Sequence, residues 1–280
     1  MRNDGYSENT IAPIGTRLRN LTKRVDLDEP EEVKRFLAGT EWSNGYKENM
    51  VNAYNHYAVV HGLSWKRPRY QRAYSIKRLP LEADIDLIIR YTKIKNRVAF
   101  RLIKECGLRP IEVSELTPAH IDLDRGTVHP ETAKGGGARV LKLKKDTLAM
   151  LVRLLVDKSL HENIFSKSKS LQKNWCRLRN ILAERYGKTE LKQIRLYDLR
   201  HFYGTMLYHE TKDLVHVQRK MGHRNIKSTL TYIDLADFRK EEEEYISKVV
   251  CTPEQIQQLI ESGFEYVCQR HDLVFFRKRK

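Results

Sequence analysis

Residues His120 to Leu143, HIDLDRGTVHPETAKGGGARVLKL, are the one long stretch that departs from an otherwise helical pattern. Short alternating segments there are separated by Asp124-Arg125-Gly126 and by Gly135-Gly136-Gly137, both rich in turn formers. The reading is a three-stranded antiparallel sheet. Outward in both directions the apolar residues recur at helical spacing. Upstream lie Val33, Phe36 and Leu37, then Tyr46, Met50, Ala53 and Tyr57. Downstream lie Leu148, Leu151, Leu154 and Leu155, with further helices predicted at 171–186, 213–221 and 228–234. The fold class is therefore mainly α with a small antiparallel β-sheet.

The first helix is announced by Asp28-Glu29-Pro30-Glu31-Glu32, where Pro and acids suit a first turn. Residues 1 to about 25 are polar and basic and read as a loose arm. Together, residues 1–65 read as a small helical domain. Residues 66–80 read as a basic interdomain linker, 81–250 as a larger helical and antiparallel domain, and 251–280 as a tail. The tail is predicted to hold a helix, a hairpin and the basic end Arg277-Lys278-Arg279-Lys280.

Lys and Arg outnumber Asp and Glu by 52 to 36, a formal net charge of +16. A chain this basic calls for a polyanionic partner, nucleic acid before an anionic membrane surface. No apolar run is long enough to span a bilayer. The N-terminus MRNDGYSENT lacks a signal-peptide core, so the expected location is the cytoplasm. Cys106, Cys176, Cys251 and Cys268 are scattered, without a CxxC pair, and predict neither a zinc ribbon nor a disulfide framework. The linker carries Lys66, Arg67, Arg69, Arg72, Lys77 and Arg78, interleaved with Tyr70 and Tyr74 and free of acids. Cations so arranged suit contact with DNA phosphates, from which they release counterions.

Three further segments carry chemistry-bearing residues. In Cys106-Gly107-Leu108-Arg109-Pro110-Ile111-Glu112, Gly107 ends one helix and Pro110 opens the next. Arg109 thus stands at a helix mouth, a place that favours anions. The second segment is Tyr197-Asp198-Leu199-Arg200-His201. The third runs from Met221-Gly222-His223 to Tyr232, nine positions beyond the histidine.

Together these segments resemble the tyrosine recombinase and integrase family, as that family appears in archaea. The resemblance covers roughly residues 81–244, and the tail is similar to the tails of archaeal members. It implies that Arg109, Lys134, Arg200, His223 and the nucleophile Tyr232 form the catalytic set. It implies that Glu112 holds an active-site side chain in place. One departure stands out: where the family carries the first His of H-x-x-R, this chain has Tyr197. His201 does not occupy that position and is expected not to replace it directly, so one acid/base role stays unassigned.

The chemistry implied is DNA strand cleavage and rejoining through a covalent 3′-phosphotyrosine. Two guanidinium groups can each clamp non-bridging phosphate oxygens and stabilise the transition-state charge. Lys134, before a flexible glycine turn, can protonate the leaving 5′-oxygen. No carboxylate cluster or Walker A loop accompanies these motifs, so neither metal nor ATP nor another cofactor is expected. The implied partner is double-stranded DNA with a specific site, held by a two-domain clamp. Four protomers would assemble on two sites and pass through a Holliday junction. The rival readings are a type IB topoisomerase and a catalytically impaired, sequence-specific DNA-binding protein.

Replacing Lys66, Arg67, Arg69 and Arg72 by Ala is predicted to weaken binding to all duplexes alike. The log–log salt dependence should flatten by about 0.9 for each phosphate that is no longer neutralised. An unchanged slope in a titration across salt concentrations would reduce the run to a solvated charge cluster.

Overall fold

The computed structural model describes residues 2, 4–71, 79–131, 137–237, 245–270 and 272–279. The chain divides into two compact units, Met1–Ile76 and Lys77–Lys280.

The first unit is helical: α1 (Glu8–Leu21), α2 (Pro30–Gly39) and α3 (Asn44–Val60). Its core gathers Leu21, Val33, Leu37, Met50, Val51 and Tyr54. Tyr54 satisfies its buried hydroxyl by donating to the Leu27 carbonyl at 2.8 Å. The expected loose arm is corrected here, because most of it is α1. Ile14, Leu18 and Leu21 recur at helical spacing, and Ile14 and Leu21 are buried. Pro13 inside the helix and the polar composition hide that pattern in the sequence.

The start of the basic run is tied to α3. Arg67 Nη2 donates to Glu48 at 2.5 Å and to Asn52 at 2.6 Å, and Asn44 donates to the Gln71 carbonyl at 2.8 Å. Lys66 and Arg69 stay exposed. Arg72, Lys77 and Arg78 lie outside the described residues.

In the second unit α4 (Glu82–Arg90), α5 (Ile94–Cys106) and α6 (Pro110–Ser114) precede the sheet. Strands β1 (Ile121–Asp122), β2 (Thr127–Val128) and β3 (Leu141–Lys142) form it in the order β1-β2-β3, antiparallel throughout. Helices α7 (Lys145–Leu155), α8 (Ser168–Tyr186), α9 (Asp198–Thr211), α10 (Leu214–Met221) and α11 (Lys227–Asp237) follow. The mainly helical class with a small antiparallel sheet is thus observed. Helix α5 is the axis of the core and buries Val98, Phe100, Leu102 and Ile103. Phe100 meets Trp175 of α8 edge to face at 5.0 Å, and Trp175 donates to the Ile194 carbonyl at 2.9 Å.

The tail adds β4 (Tyr245–Val250), α12 (Pro253–Glu261), β5 (Glu265–Arg270) and β6 (Leu273–Arg279). Sequence reading anticipated the helix and hairpin but not β4. That strand pairs antiparallel with β6, giving the order β4-β6-β5. Its pairing is non-local, so no turn signal beside it marks it in the sequence. Leu259 of α12 packs with Val274 and Phe276 of β6. Among the described residues no helix is long and apolar enough to cross a membrane.

One glycine decides where α5 stops. Gly107 has φ +64°, and a Cβ there would lie 2.4 Å from Tyr203 Cδ1. Gly107→Ala is predicted to destabilise the second unit by about 2–5 kcal/mol, left-handed backbone and overpacking together. Urea unfolding measures this. An unshifted midpoint would mean that Tyr203 swings aside at no cost.

Candidate active site

The site begins at the end of α5. The αL turn at Gly107 and the start of α6 at Pro110 leave Arg109 as the N-cap residue. Glu112 reaches back to it. One carboxylate oxygen accepts the Arg109 backbone N–H at 2.7 Å, and the other accepts Arg109 Nη1 at 2.6 Å. Arg139 Nη2 donates to Glu112 at 2.5 Å, and Arg200 Nη1 stands 4.0 Å away. Glu112 is fully buried. Burial alone would push its carboxyl up. The hydrogen bond and charge of Arg139, with the bonds from Arg109, outweigh burial and hold it below the usual carboxylate range.

Arg200 projects from α9 and is also fully buried. Its Nη1 donates to the Gly107 carbonyl and its Nη2 to the Met221 carbonyl at 2.6 Å. It thereby joins the C-terminal ends of α5 and α10. Burial and the neighbouring Arg109 charge lower its pKa, yet a guanidinium stays charged. Arg200 Nε, Arg139 Nε and Arg139 Nη1 are buried with no hydrogen-bond acceptor among the described residues.

Gly222, with φ +63°, caps α10 and turns the chain toward His223. His223 Nδ1 lies 3.0 Å from Thr229 Oγ1, and the imidazole stacks on the Tyr232 ring at 6.0 Å with planes 12° apart. Burial, then the charges of Arg200 and Arg109, push its pKa down to about 4, so the imidazole is neutral at pH 7. Tyr232 comes from α11 and is 2% exposed. Burial raises its pKa, while Arg200 and Arg109 pull it back in part. Its ring lies against α9 at Gly204, where a Cβ would come within 2.6 Å of Tyr232 Cζ. The α9–α11 contact that seats the tyrosine therefore needs a residue without a side chain at position 204.

These residues border one open cleft of about 740 Å³, lined by Arg109, Tyr197, His201, His223 and Tyr232, with Ser168 and Gln172 from α8 and Arg195. Arg195 is held by Asp198 through bonds of 2.7 and 3.2 Å. Tyr197 caps the start of α9 and is 42% exposed. Of the residues expected from sequence, Arg109, Arg200, His223, Tyr232, Tyr197 and Glu112 are brought together. Lys134 lies outside the described residues. Lys66, Arg67 and Arg69 belong to the first unit.

Two residues were missed. Arg139 was legible in principle: around β3 burial alternates, with Arg139, Leu141 and Leu143 buried while Val140 and Lys142 are exposed. A charge at a buried position needs a partner. Gly204 carries no signal without knowledge of what crosses it. His201, expected not to replace the family histidine directly, does line the cleft. One helical turn beyond Tyr197, it faces the same cleft.

Comparison with known proteins identifies the family. Residues 80–239 match the phage integrase family. The tyrosine recombinase XerA of Thermococcus kodakarensis is 27% identical over 225 residues, covering 75% of this chain and 79% of that protein. XerA of Saccharolobus solfataricus is 26% identical over 262 residues, covering 85% and 87%. Among solved structures, the Tn1549 transposon integrase in complex with circular intermediate DNA has the same fold. Its TM-score is 0.64 at 17% identity, covering 93% of this chain and 96% of that one. With the match spanning the segment that contains Arg109, Arg200, His223 and Tyr232, the chain belongs to the phage integrase family and is a tyrosine recombinase.

Proposed function

We propose that this recombinase cleaves and rejoins DNA at a specific site through a covalent 3′-phosphotyrosine on Tyr232, with neither metal nor ATP. The observation that carries the proposal is an imbalance of charge. Arg109, Arg139 and Arg200 converge on a single carboxylate, Glu112, beside a cleft that holds a tyrosine and a histidine. Uncompensated buried cations are costly, and an anion entering the cleft relieves them. A phosphodiester fits that need. Arg109 on the cleft wall clamps its non-bridging oxygens, and Arg200 behind it adds a fixed positive field.

The negative charge of the phosphate offsets the arginines that depress His223 and raises its basicity again. His223 then donates a hydrogen bond to the phosphate from Nε2, with Nδ1 occupied by Thr229. The Tyr232 oxygen attacks phosphorus in line, the P–O5′ bond breaks, and Lys134 supplies the proton to the leaving 5′-oxygen. The phosphotyrosine keeps the energy of the broken bond, so a second 5′-hydroxyl reverses the attack. That conservation is the reason no external energy source is required.

Duplex DNA as partner is supported by the net charge of +16 and by the DNA-bound state of the integrase with the same fold. In this reading the first unit and the basic run after it grip the duplex, and four protomers exchange strands between two sites through a Holliday junction. Glu112 and Arg139 act behind the reacting atoms and keep Arg109 aimed into the cleft.

Tyr232→Phe should abolish the covalent adduct on a nicked half-site substrate and leave duplex binding within a few-fold, since only the attacking oxygen is removed. Adduct at the wild-type level in that variant would name another nucleophile. Cleavage by the wild type should also proceed at full rate in saturating EDTA, because guanidinium groups rather than a metal balance the phosphate charge. Inhibition by EDTA that Mg²⁺ reverses would overturn the metal-free assignment.

A further inference from the structure

The phosphotyrosine reading leaves one proton without a destination. The Tyr232 phenol has to lose its hydrogen as its oxygen bonds to phosphorus, and burial keeps that hydrogen on. In this chain the helical position that carries a histidine in the family carries Tyr197, a phenol with a reference pKa of about 10 and a poor base at neutral pH. A group that can accept the proton has to lie against the Tyr232 ring and reach the cleft.

Two imidazoles meet the first condition. His223 stacks on the Tyr232 ring with planes only 12° apart. An imidazole lone pair lies in the ring plane, so a parallel stack does not aim it at the phenol oxygen. Its Nδ1 is engaged by Thr229, and burial with three nearby arginines lowers its pKa to about 4. A hydrogen bond to phosphate suits it better than proton uptake. His201 differs in geometry. Its ring centroid is 5.1 Å from that of Tyr197 and 6.0 Å from that of Tyr232. Its plane is inclined by 59° to the Tyr232 ring, so the two rings are not parallel as those of His223 and Tyr232 are. It is half-buried and lines the cleft beside Arg109 and His223.

The spacing explains how this position can serve. Residues four apart on a helix share one face, stacked a turn above one another. An imidazole at 201 therefore opens on the same cleft as a side chain at 197, displaced by about one helical pitch of 5.4 Å. The Tyr197 ring packs edge-on against it and fills the vacated position.

We propose that His201 is the catalytic base for Tyr232 in this enzyme, an assignment that rests on the phosphotyrosine reading above. In cleavage the Tyr232 O–H bond breaks and its proton forms an N–H bond on His201. The oxygen electron pair forms the bond to phosphorus, and the electrons of the P–O5′ bond leave with the 5′-oxygen, which Lys134 protonates. In rejoining each transfer runs backwards, and His201 returns the proton to Tyr232.

Single-turnover cleavage of a nicked half-site duplex tests the assignment. His201→Gln keeps hydrogen-bonding capacity but removes the base. Cleavage should slow by about 10²–10⁴-fold, the usual worth of general base catalysis, with duplex binding retained. Adding Tyr197→His to that variant should recover most of the rate, because an imidazole on the adjacent turn faces the same cleft. Cleavage by His201→Ala should rise when imidazole is added to the buffer. A His201→Gln variant that cleaves near the wild-type rate overturns the proposal. So does a slow, DNA-binding variant that neither Tyr197→His nor added imidazole improves, since His201 would then be a packing residue. Failure of the wild type itself to form a Tyr232 adduct overturns the phosphotyrosine reading and this proposal with it; the other two results overturn this proposal alone.

Discussion

The buried carboxylate of Glu112 is the interaction on which the site depends. It accepts bonds from the Arg109 backbone, the Arg109 guanidinium and the Arg139 guanidinium, and stands 4.0 Å from Arg200. Three like charges would not share so small a volume without it. Removing one partner of a buried ion pair leaves the other uncompensated and costs roughly 3–5 kcal/mol. The arrangement is thus self-enforcing: Glu112 keeps its charge because the arginines are there, and the arginines converge because Glu112 is charged. Its residual excess of positive charge suits the site to an anion.

Around this carboxylate, helix ends converge. The C-terminal end of α5, the start of α6 and the C-terminal end of α10 meet at α9. Helix ends leave backbone groups without intrahelical partners, and Arg200 uses two of them, the carbonyls of Gly107 and Met221. A guanidinium held by two backbone carbonyls cannot wander with side-chain rotamers. Gly107 and Gly204 make the approach possible in different ways. The first supplies a left-handed backbone under Tyr203, and the second supplies bare backbone under the Tyr232 ring.

The same close packing sets the proton chemistry. Tyr232 and His223 are buried beside arginines, so each is held in its neutral form in the absence of DNA. Burial thus keeps the proton on Tyr232, and an entering phosphate, itself negative, does not remove it, so the proposed reaction needs a base. The histidine that lines the cleft from α9 is then placed to complete the reaction.

Much of this was legible in the sequence, for reasons that are local. Helix stops and starts at Gly107, Pro110 and Gly222 are properties of individual residues. So the placement of Arg109 at a helix mouth, and of His223 just beyond a helix end, could be read directly. The turns at Asp124-Arg125-Gly126 and at 135–137 marked the small sheet, and the order of arginine, histidine and tyrosine marked the family. What escaped depends on partners distant in the chain. Helix α1 is stabilised by burying Ile14 and Leu21 in a core that its own polar composition does not announce. Strand β4 exists because β6, some thirty residues later, offers it a ladder. Arg139 is tolerated at a buried position just before β3 because it donates to Glu112. His201 enters the cleft because α11 brings Tyr232 back over α9. Sequence alone determined the family and singled out the candidate residues, since backbone conformation and side-chain charge are intrinsic to each residue. Only the tertiary structure decided how their charges, protons and ring planes face one another, since burial and distance are properties of pairs.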